Sequence, residues 1–532
     1  MRRLEMTGRS PARGCNGMVS SANPLASLAG VDVLRAGGNA MDAAIAAMAV
    51  LGVVESLNLG LGGDCFALYA PGGGSEIIAY NGSGRAPAAA QADWYRSRGF
   101  AEIPAAGPHG VTVPGAVEAW DRLAADHGTC GLDELLRPAI HYADEGYPVH
   151  DVIASWWPAD VEKLRADPEA ARILLWDGQP PAAGTIHRQP DLAQTLRRIG
   201  RERSAGFYTG PVADSIVRHL RAKGGLHTLE DFAGHKGEYV TPISLDYRGY
   251  RVHECPPNGQ GIAALIMLGI LRDFDLSAFD PRGADRFHLA IEAGRLAIRD
   301  RDRLVGDPET AGDWRKLLEP VYLSSQRAKI DLACAAPPVP PASLPMGRDT
   351  CHVAVVDRDC NAVSLIASVF YNFGSGLVAP GTGVVLQNRG CGFVLTPHHP
   401  NEIGPRKRPL HTIIPALVSH AGRISHSLGV VGGHYQAWGH TQVVTNLVDY
   451  GYDVQEAIDA PRVFHNGANV ELEPGLAPEV RTELTRRQHR VVDVSETSMG
   501  RLGGGQLIAI DWEKGTLAGA ADRRLDGCAL GY

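Results

Sequence analysis

The segment Ala333–Met346, ACAAPPVPPASLPM, is the feature that most limits how this chain can fold. Proline fixes φ and removes a backbone donor, so a run this rich in it carries neither a helix nor a sheet ladder. The pattern changes just beyond it. His352–Asp357 (HVAVVD) and Ala362–Val369 (AVSLIASV) are β-branched and alternate as paired strands do, with Asp359-Cys360-Asn361 at the turn between them. Asn361 reads as a turn residue there. The proline-rich run suits two roles. It is a plain surface linker, or it is the approach that delivers the chain to a strand beginning at Thr350, as an internal processing site requires.

At 532 residues the chain exceeds one ordinary core, so two or more domains or one large layered unit are expected. Aromatics are only 6%, against 63 Gly and 35 Pro, which suits small, close-packed elements of a loop-rich α/β enzyme. Asn23 and Pro24 open a helix that ends at Gly37-Gly38. AMDAAIAAMAVLGVVE follows, apolar on most faces and so expected to be buried. Phe66–Tyr69 and Glu76–Tyr80 read as strands across the turn PGGGS, and residues 110–330 read as mostly helical.

The net charge of −8 does not suggest a nucleic-acid partner. The start, MRRLEMTGRSPARGCNG, lacks the apolar middle of a secretory signal, and the nearest apolar stretch is too short to span a bilayer. A cytoplasmic location without a membrane partner is expected. The nine cysteines are scattered without a CxxC pair, and no HExxH, GxSxG or GxxxxGK[ST] motif occurs. No metal or cofactor is implied.

Ordered stretches along almost the whole chain carry a resemblance. They include GMVSSANPLASLAGVDVLRAGGNAMDAAIAA, GLGGDCFAL, VTVPGAVEAW, YRGYRVHECPP, RDRDRLVGDP, DTCHVAVVDRDCNAVSL, KRPLHTIIPAL and ADRRLDGCALGY. Together, from about Gly17 to Tyr532, they resemble the γ-glutamyltransferase family of N-terminal-nucleophile hydrolases. The resemblance implies a four-layer αββα sandwich made as one precursor. It implies self-cleavage between Asp349 and Thr350, leaving a mostly helical chain of residues 1–349, with the Pro-rich segment 333–349 at its end, and a chain of residues 350–532. The two stay associated as a heterodimer. The family's Thr-Thr-His at the cut is Thr350-Cys351-His352 here, so the nucleophile carries over to Thr350.

A threonine hydroxyl is a poor nucleophile without a base in reach. Once Thr350 is N-terminal its own α-amine can serve, since such amines titrate at about pH 7.7–8.0. Before cleavage that nitrogen is an amide and no base. Gly432-Gly433, by itself an ordinary turn, matches the family's oxyanion hole. Ser368 matches a family threonine that hydrogen-bonds the nucleophile; read alone, it is equally a core-facing strand serine.

The substrate-gripping positions depart from the family. An Arg in D-G-R-E-T-A-P holds the γ-glutamyl carboxylate there; Asn81-Gly82-Ser83-Gly84-Arg85 puts Ser83 at that position and Arg85 two residues on. The serine pair after K-R-P-L becomes His411-Thr412. The Asp that grips the ammonium becomes Gly392, with Arg389 added nearby. A buried ammonium without its acid costs on the order of several kcal/mol. The stretches GSGRAP, PPNGQG and LQNRG look like the branch holding oxamate amidohydrolases and cephalosporin-acylase-like proteins.

The expected function is hydrolysis of a small, carboxylate-bearing amide through an acyl-Thr350 intermediate. Arg85, Arg389, His411 and Thr412 are the candidate substrate-binding residues; either Arg reads equally as structural. Two alternatives stand: a γ-glutamyltransferase or glutathione hydrolase with a rebuilt pocket, and an unprocessed ligand-binding scaffold. Retention of Thr350, Gly432 and Gly433 argues against the scaffold.

Overall fold

The structure, a computed structural model, describes residues 8–337, 349–494 and 502–532. Most of the proline-rich approach to Thr350, residues 338–348, therefore lies outside the described residues.

Strands β1 (Ala12–Gly14) and β2 (Gly17–Ser21) lead into helices α1 (Pro24–Arg35) and α2 (Ala40–Val54). Asn23 caps α1 by accepting the Leu25 N–H at 3.1 Å, and Asn39 forms a capping box with Asp42 on α2. Every residue of α2 is buried, which is why its sequence shows no polar face. Then come β3 (Asp64–Ala70) and β4 (Ile78–Gly82), paired with Phe66 opposite Asn81. The expected hairpin is present.

The stretch 110–330 is largely helical, but it also supplies β5 (Glu238–Val240), β6 (Ile243–Tyr247) and β7 (Tyr250–Glu254). These strands are short and lie at or near sheet edges; β6 keeps the alternation that marks a strand, while β5 and β7 do not. Helices α3 (Gly261–Leu271) and α4 (Ala284–Leu304) follow. The remaining framework is β8 (Asp349–Asp357), β9 (Ala362–Phe370), β10 (Ala416–His420), β11 (Arg423–Val430), α5 (Gln436–Val448), β12 (Gly505–Asp511), β13 (Thr516–Ala521) and β14 (Cys528–Gly531). Asn361 holds the β8–β9 turn by donating to Asp357 Oδ2 at 2.8 Å.

Two seven-stranded antiparallel sheets result, ordered β14-β2-β8-β9-β3-β4-β5 and β1-β13-β12-β11-β10-β7-β6. Ala354, Val356, Ile366, Leu417, Ile424 and Ile508 pack between them. Cys351, Val353 and Val355 face the other way, into the core shared with α1 and α2. Leu428, Val430 and Leu507 face α3, α4 and α5. The layers are thus helix, sheet, sheet, helix, as the resemblance implied. Alternation along β8 explains why cysteine is accommodated at 351: it points into the helix-side core.

The strand that begins beside Thr350 is interior to its sheet. It pairs with β2 on one side (Val355 opposite Val19) and β9 on the other (Val355 opposite Val363). Segments from both sides of residue 349 therefore share one hydrogen-bonded ladder. Cutting the chain there leaves the two pieces interleaved rather than separable.

Candidate active site

Thr350 is 3% exposed at the start of β8. The β8–β9 register shifts there: Asp349 pairs with Phe370, but Cys351 pairs with Ala367. Such a bulge re-aims side chains, and it lies where Ser368 crosses from Thr350. Of Asp349 only the backbone is described.

Gln436, the first residue of α5, donates from Nε2 to Thr350 Oγ1 at 3.3 Å. Its Oε1 accepts the Ile414 N–H at 3.0 Å, which fixes the amide so that the NH2 faces the threonine. Immediately before Gln436 the chain makes a tight turn over Gly433–Tyr435. Gly432 sits at φ 116° and Gly433 at φ 59°, both left-handed. Gly432 is also crowded: a Cβ there would meet Gly503 Cα at 2.8 Å.

The Gly432 carbonyl accepts the Tyr435 N–H at 3.0 Å. In a trans peptide the N–H of the next residue points the opposite way, so the Gly433 N–H turns away from that bond. Among the described residues neither the Gly432 nor the Gly433 N–H has a partner. Two unpaired amide donors thus precede the N-terminus of α5, where the helix dipole favours negative charge. The same helix end touches the threonine hydroxyl through Gln436. This arrangement can stabilise the oxyanion formed when Thr350 attacks an amide.

Beside Thr350 lies a buried cation. Arg389 donates from Nη2 to Ser368 Oγ at 3.2 Å and from Nη1 to Thr412 Oγ1 at 2.8 Å, and its guanidinium lies 3.9 Å from the Phe370 ring centre. It is fully buried, and burial pushes it down to about 10. Its Nε has no partner among the described residues, nor does the group form an ion pair with a described carboxylate. Ser368 Oγ also accepts the Phe370 N–H at 2.8 Å.

His411 lies against Asp64, its Nε2 3.0 Å from Oδ2. The Ile413 N–H approaches His411 Nδ1 at 3.4 Å, so Nε2 carries the proton. Burial, reinforced by Arg389, pushes His411 down to about 4, so its ring is neutral near pH 7. Asp64 Oδ1 accepts three further bonds: from the Gly84 N–H at 2.9 Å, the Gly115 N–H at 3.1 Å and Gln387 Nε2 at 2.8 Å.

The structure therefore brings Thr350, Ser368, Arg389 and Thr412 together, with His411 next to them. Arg85 lies elsewhere: its Nη1 donates to the Arg406 carbonyl at 3.0 Å and stands 3.8 Å from Asp307, with 29% of the side chain exposed. Sequence reasoning missed Gln436 and Asp64. The signal for Asp64 was an acid inside GLGGDCFAL, an otherwise apolar and glycine run; that for Gln436 was a polar residue close after Gly-Gly. Among the described residues no cluster of His, Cys, Asp or Glu is arranged to hold a metal, and no helix is long and apolar enough to cross a membrane.

The αββα sandwich with a threonine at the head of an interior strand defines the class of N-terminal-nucleophile hydrolases. The family model described as Gamma-glutamyltranspeptidase matches residues 26–532, and the chain belongs to that family. It is 37% identical over 525 residues to a glutathione hydrolase-like YwrD proenzyme of Bacillus subtilis (strain 168), covering 97% of this chain and 99% of the relative. It is 34% identical over 537 residues to an oxamate amidohydrolase proenzyme of Klebsiella pneumoniae, covering 97% and 98%. The solved cephalosporin acylase from Bacillus halodurans superposes with a TM-score of 0.93 at 39% identity, covering 100% of this chain and 98% of that one. The protein is an N-terminal-nucleophile amidohydrolase, made as a proenzyme that cleaves itself into two chains.

Proposed function

We propose that cleavage falls between Asp349 and Thr350, and that the freed Thr350 hydrolyses a small amide whose acyl part carries a carboxylate held by Arg389. The observation that carries the substrate reading is the Arg389 guanidinium itself: buried, without a carboxylate partner among the described residues, and bonded to Ser368 on β9, the strand paired with that of Thr350. A buried cation with spare donors favours an anion strongly.

Thr350 Oγ1 gives its proton to its own α-amine and attacks the amide carbon. The oxyanion is received by the Gly432 and Gly433 N–H groups. The amine leaves with a proton from the same α-ammonium, and water then attacks the acyl-Thr350 ester by the reverse proton path. Among the described residues a substrate α-ammonium finds no unengaged acid beside Arg389. Asp64 is the nearby carboxylate, and its acceptors are engaged by four protein donors. The names of an oxamate amidohydrolase and of acylases among the relatives support hydrolysis of oxamate-like or acyl amides, while glutathione stays on the substrate panel because several other relatives are named glutathione hydrolases.

Intact-mass analysis of wild type and Thr350→Ala is the test of processing. Two fragments from the wild type and one uncut, inactive chain from the variant are expected; a cut and active Thr350→Ala sinks the assignment. A panel of oxamate, glutaryl anilide, butyryl anilide, γ-glutamyl anilide and glutathione tests the substrate. Faster turnover of the γ-glutamyl compounds than of the glutaryl anilide overturns the carboxylate-only reading.

A further inference from the structure

We infer that Asp64 is an internal plug in a carboxylate-binding cradle, and that it determines specificity by denying that cradle to the substrate. Four donors from four separated segments converge on one carboxylate: the Gly84 N–H at 2.9 Å, the Gly115 N–H at 3.1 Å, Gln387 Nε2 at 2.8 Å and His411 Nε2 at 3.0 Å. All four donate, so Asp64 acts purely as an acceptor.

The close approach is built in. Gly84 and Gly115 bring bare backbone to the carboxylate, and a Cβ on either would strike the Val113 carbonyl at 2.1 Å or the Gly82 carbonyl at 2.0 Å. Asp64 and His411 are both 0% exposed, so each bond is made out of water, where a lost partner costs most. Taken without Asp64, this set of donors is a preformed anion site of the carboxylate class.

Three of the four donor segments hold the positions where the chain departs from its family: the loop Ser83-Gly84-Arg85, the run Gln387–Arg389, and His411. Several of the departures therefore gather around a single side chain. Asp64 occupies the neutral donors, and its charge also supports the Arg389 cation. Among the described residues of this cluster, Arg389 is the cation left for a substrate carboxylate. The inference extends the proposed substrate reading and uses turnover as one readout; the other readout, anion binding, does not depend on it.

The test uses the full-length, self-cleaved protein with Asp64→Ala and Asp64→Asn, in sodium formate against sodium chloride of equal ionic strength. Asp64→Ala is expected to lose about 100-fold in kcat/KM for the best panel substrate, and formate is expected to restore at least about tenfold of it saturably. Formate should raise the Tm of Asp64→Ala by several degrees through binding to the folded state. Wild type and Asp64→Asn, whose cradles are filled, should show no formate-specific shift. No formate effect on Asp64→Ala, or an equal effect on wild type, overturns the inference. Should Asp64→Ala not accumulate as folded protein, Asp64→Ser carries the same measurements; failure of both to fold at any formate concentration also overturns it. A formate shift in a protein inactive on every panel substrate would sink the proposed function while leaving the cradle standing.

Discussion

Gln436 Nε2 donates to the Thr350 hydroxyl across 3.3 Å, joining the nucleophile strand to the helix whose approach presents Gly432 and Gly433. Because Gln436 donates, the hydroxyl keeps its own proton for the base. The bond therefore orients the Thr350 hydroxyl without taking its proton. It also ties a strand of one sheet to a helix packed on the other, so the geometry of attack depends on how the layers are stacked.

Replacing Gln436 by Leu removes that bond at similar bulk. A loss of about tenfold in kcat is expected, equivalent to about one hydrogen bond, with KM little changed. Self-cleavage of the freshly made precursor should slow as well, read as the fraction of uncut chain on a denaturing gel. An unchanged kcat would remove Gln436 from the site.

Gly432→Ala should be the more damaging change. Alanine at φ 116° is strained, and its Cβ would press on Gly503 Cα at 2.8 Å, turning the amide donors away. A fall of about 100-fold in kcat is expected, the size of one lost oxyanion donor. Gly422→Ala is the control: φ there is 79°, but no atom lies within 4 Å of the added methyl. It should cost about 1–2 kcal/mol of stability and leave kcat unchanged.

Arg389→Met tests the carboxylate contact. The KM for glutaryl anilide should rise about 10- to 100-fold, while that for uncharged butyryl anilide moves little. Arg85→Met should change both by less than about twofold, since its guanidinium is engaged with the Arg406 carbonyl and stands near Asp307. Equal KM changes for both substrates in Arg389→Met would remove its role as an anion anchor.

Acid should unfold the protein through its buried histidines. Burial pushes His352 and His440 down to about 3 and His411 down to about 4. Unfolded histidine titrates near 6.5. Between about pH 6.5 and 4 the unfolded chain therefore binds more protons than the folded one, and stability falls as pH falls through that window. Glu55 works the other way: burial, with Asp526, pushes it up to about 8, so its contribution grows as pH falls from 8 towards 4.5. A Tm profile should decline below about pH 6 and steepen towards pH 4. His440→Gln, which keeps a side-chain acceptor for the Val430 N–H, should flatten it.

Local pattern was enough for much of the framework around the site. The β8–β9 pair was legible from alternation, and Asn361 from turn chemistry. The helix from Pro24 was legible from its Asn23 cap, the one from Ala40 from its apolar run, and Gly432-Gly433 as a turn from its glycines. Strands β5 and β7 were hidden because each is short and neither alternates cleanly in burial, whereas β6, whose Ile243, Leu245 and Tyr247 alternate with Ser244 and Asp246, carries the strand period inside a stretch otherwise rich in helix. Arg85 shows a different limit. Spacing placed it near the family's carboxylate arginine, but its side chain reaches Arg406 and Asp307, contacts that separations of hundreds of residues conceal.

The sequence by itself determined the strand that begins beside Thr350 and the glycine turn at Gly432-Gly433, because each depends on residue type and immediate neighbours. Only the tertiary structure decided that Gln436 touches Thr350, that Arg389 is a buried cation without a carboxylate partner among the described residues, and that Asp64 gathers donors from the loops around residues 84, 115, 387 and 411. Those contacts join segments far apart in the chain. Their strength comes from burial, and burial is a property of how the four layers close on one another rather than of any stretch of sequence.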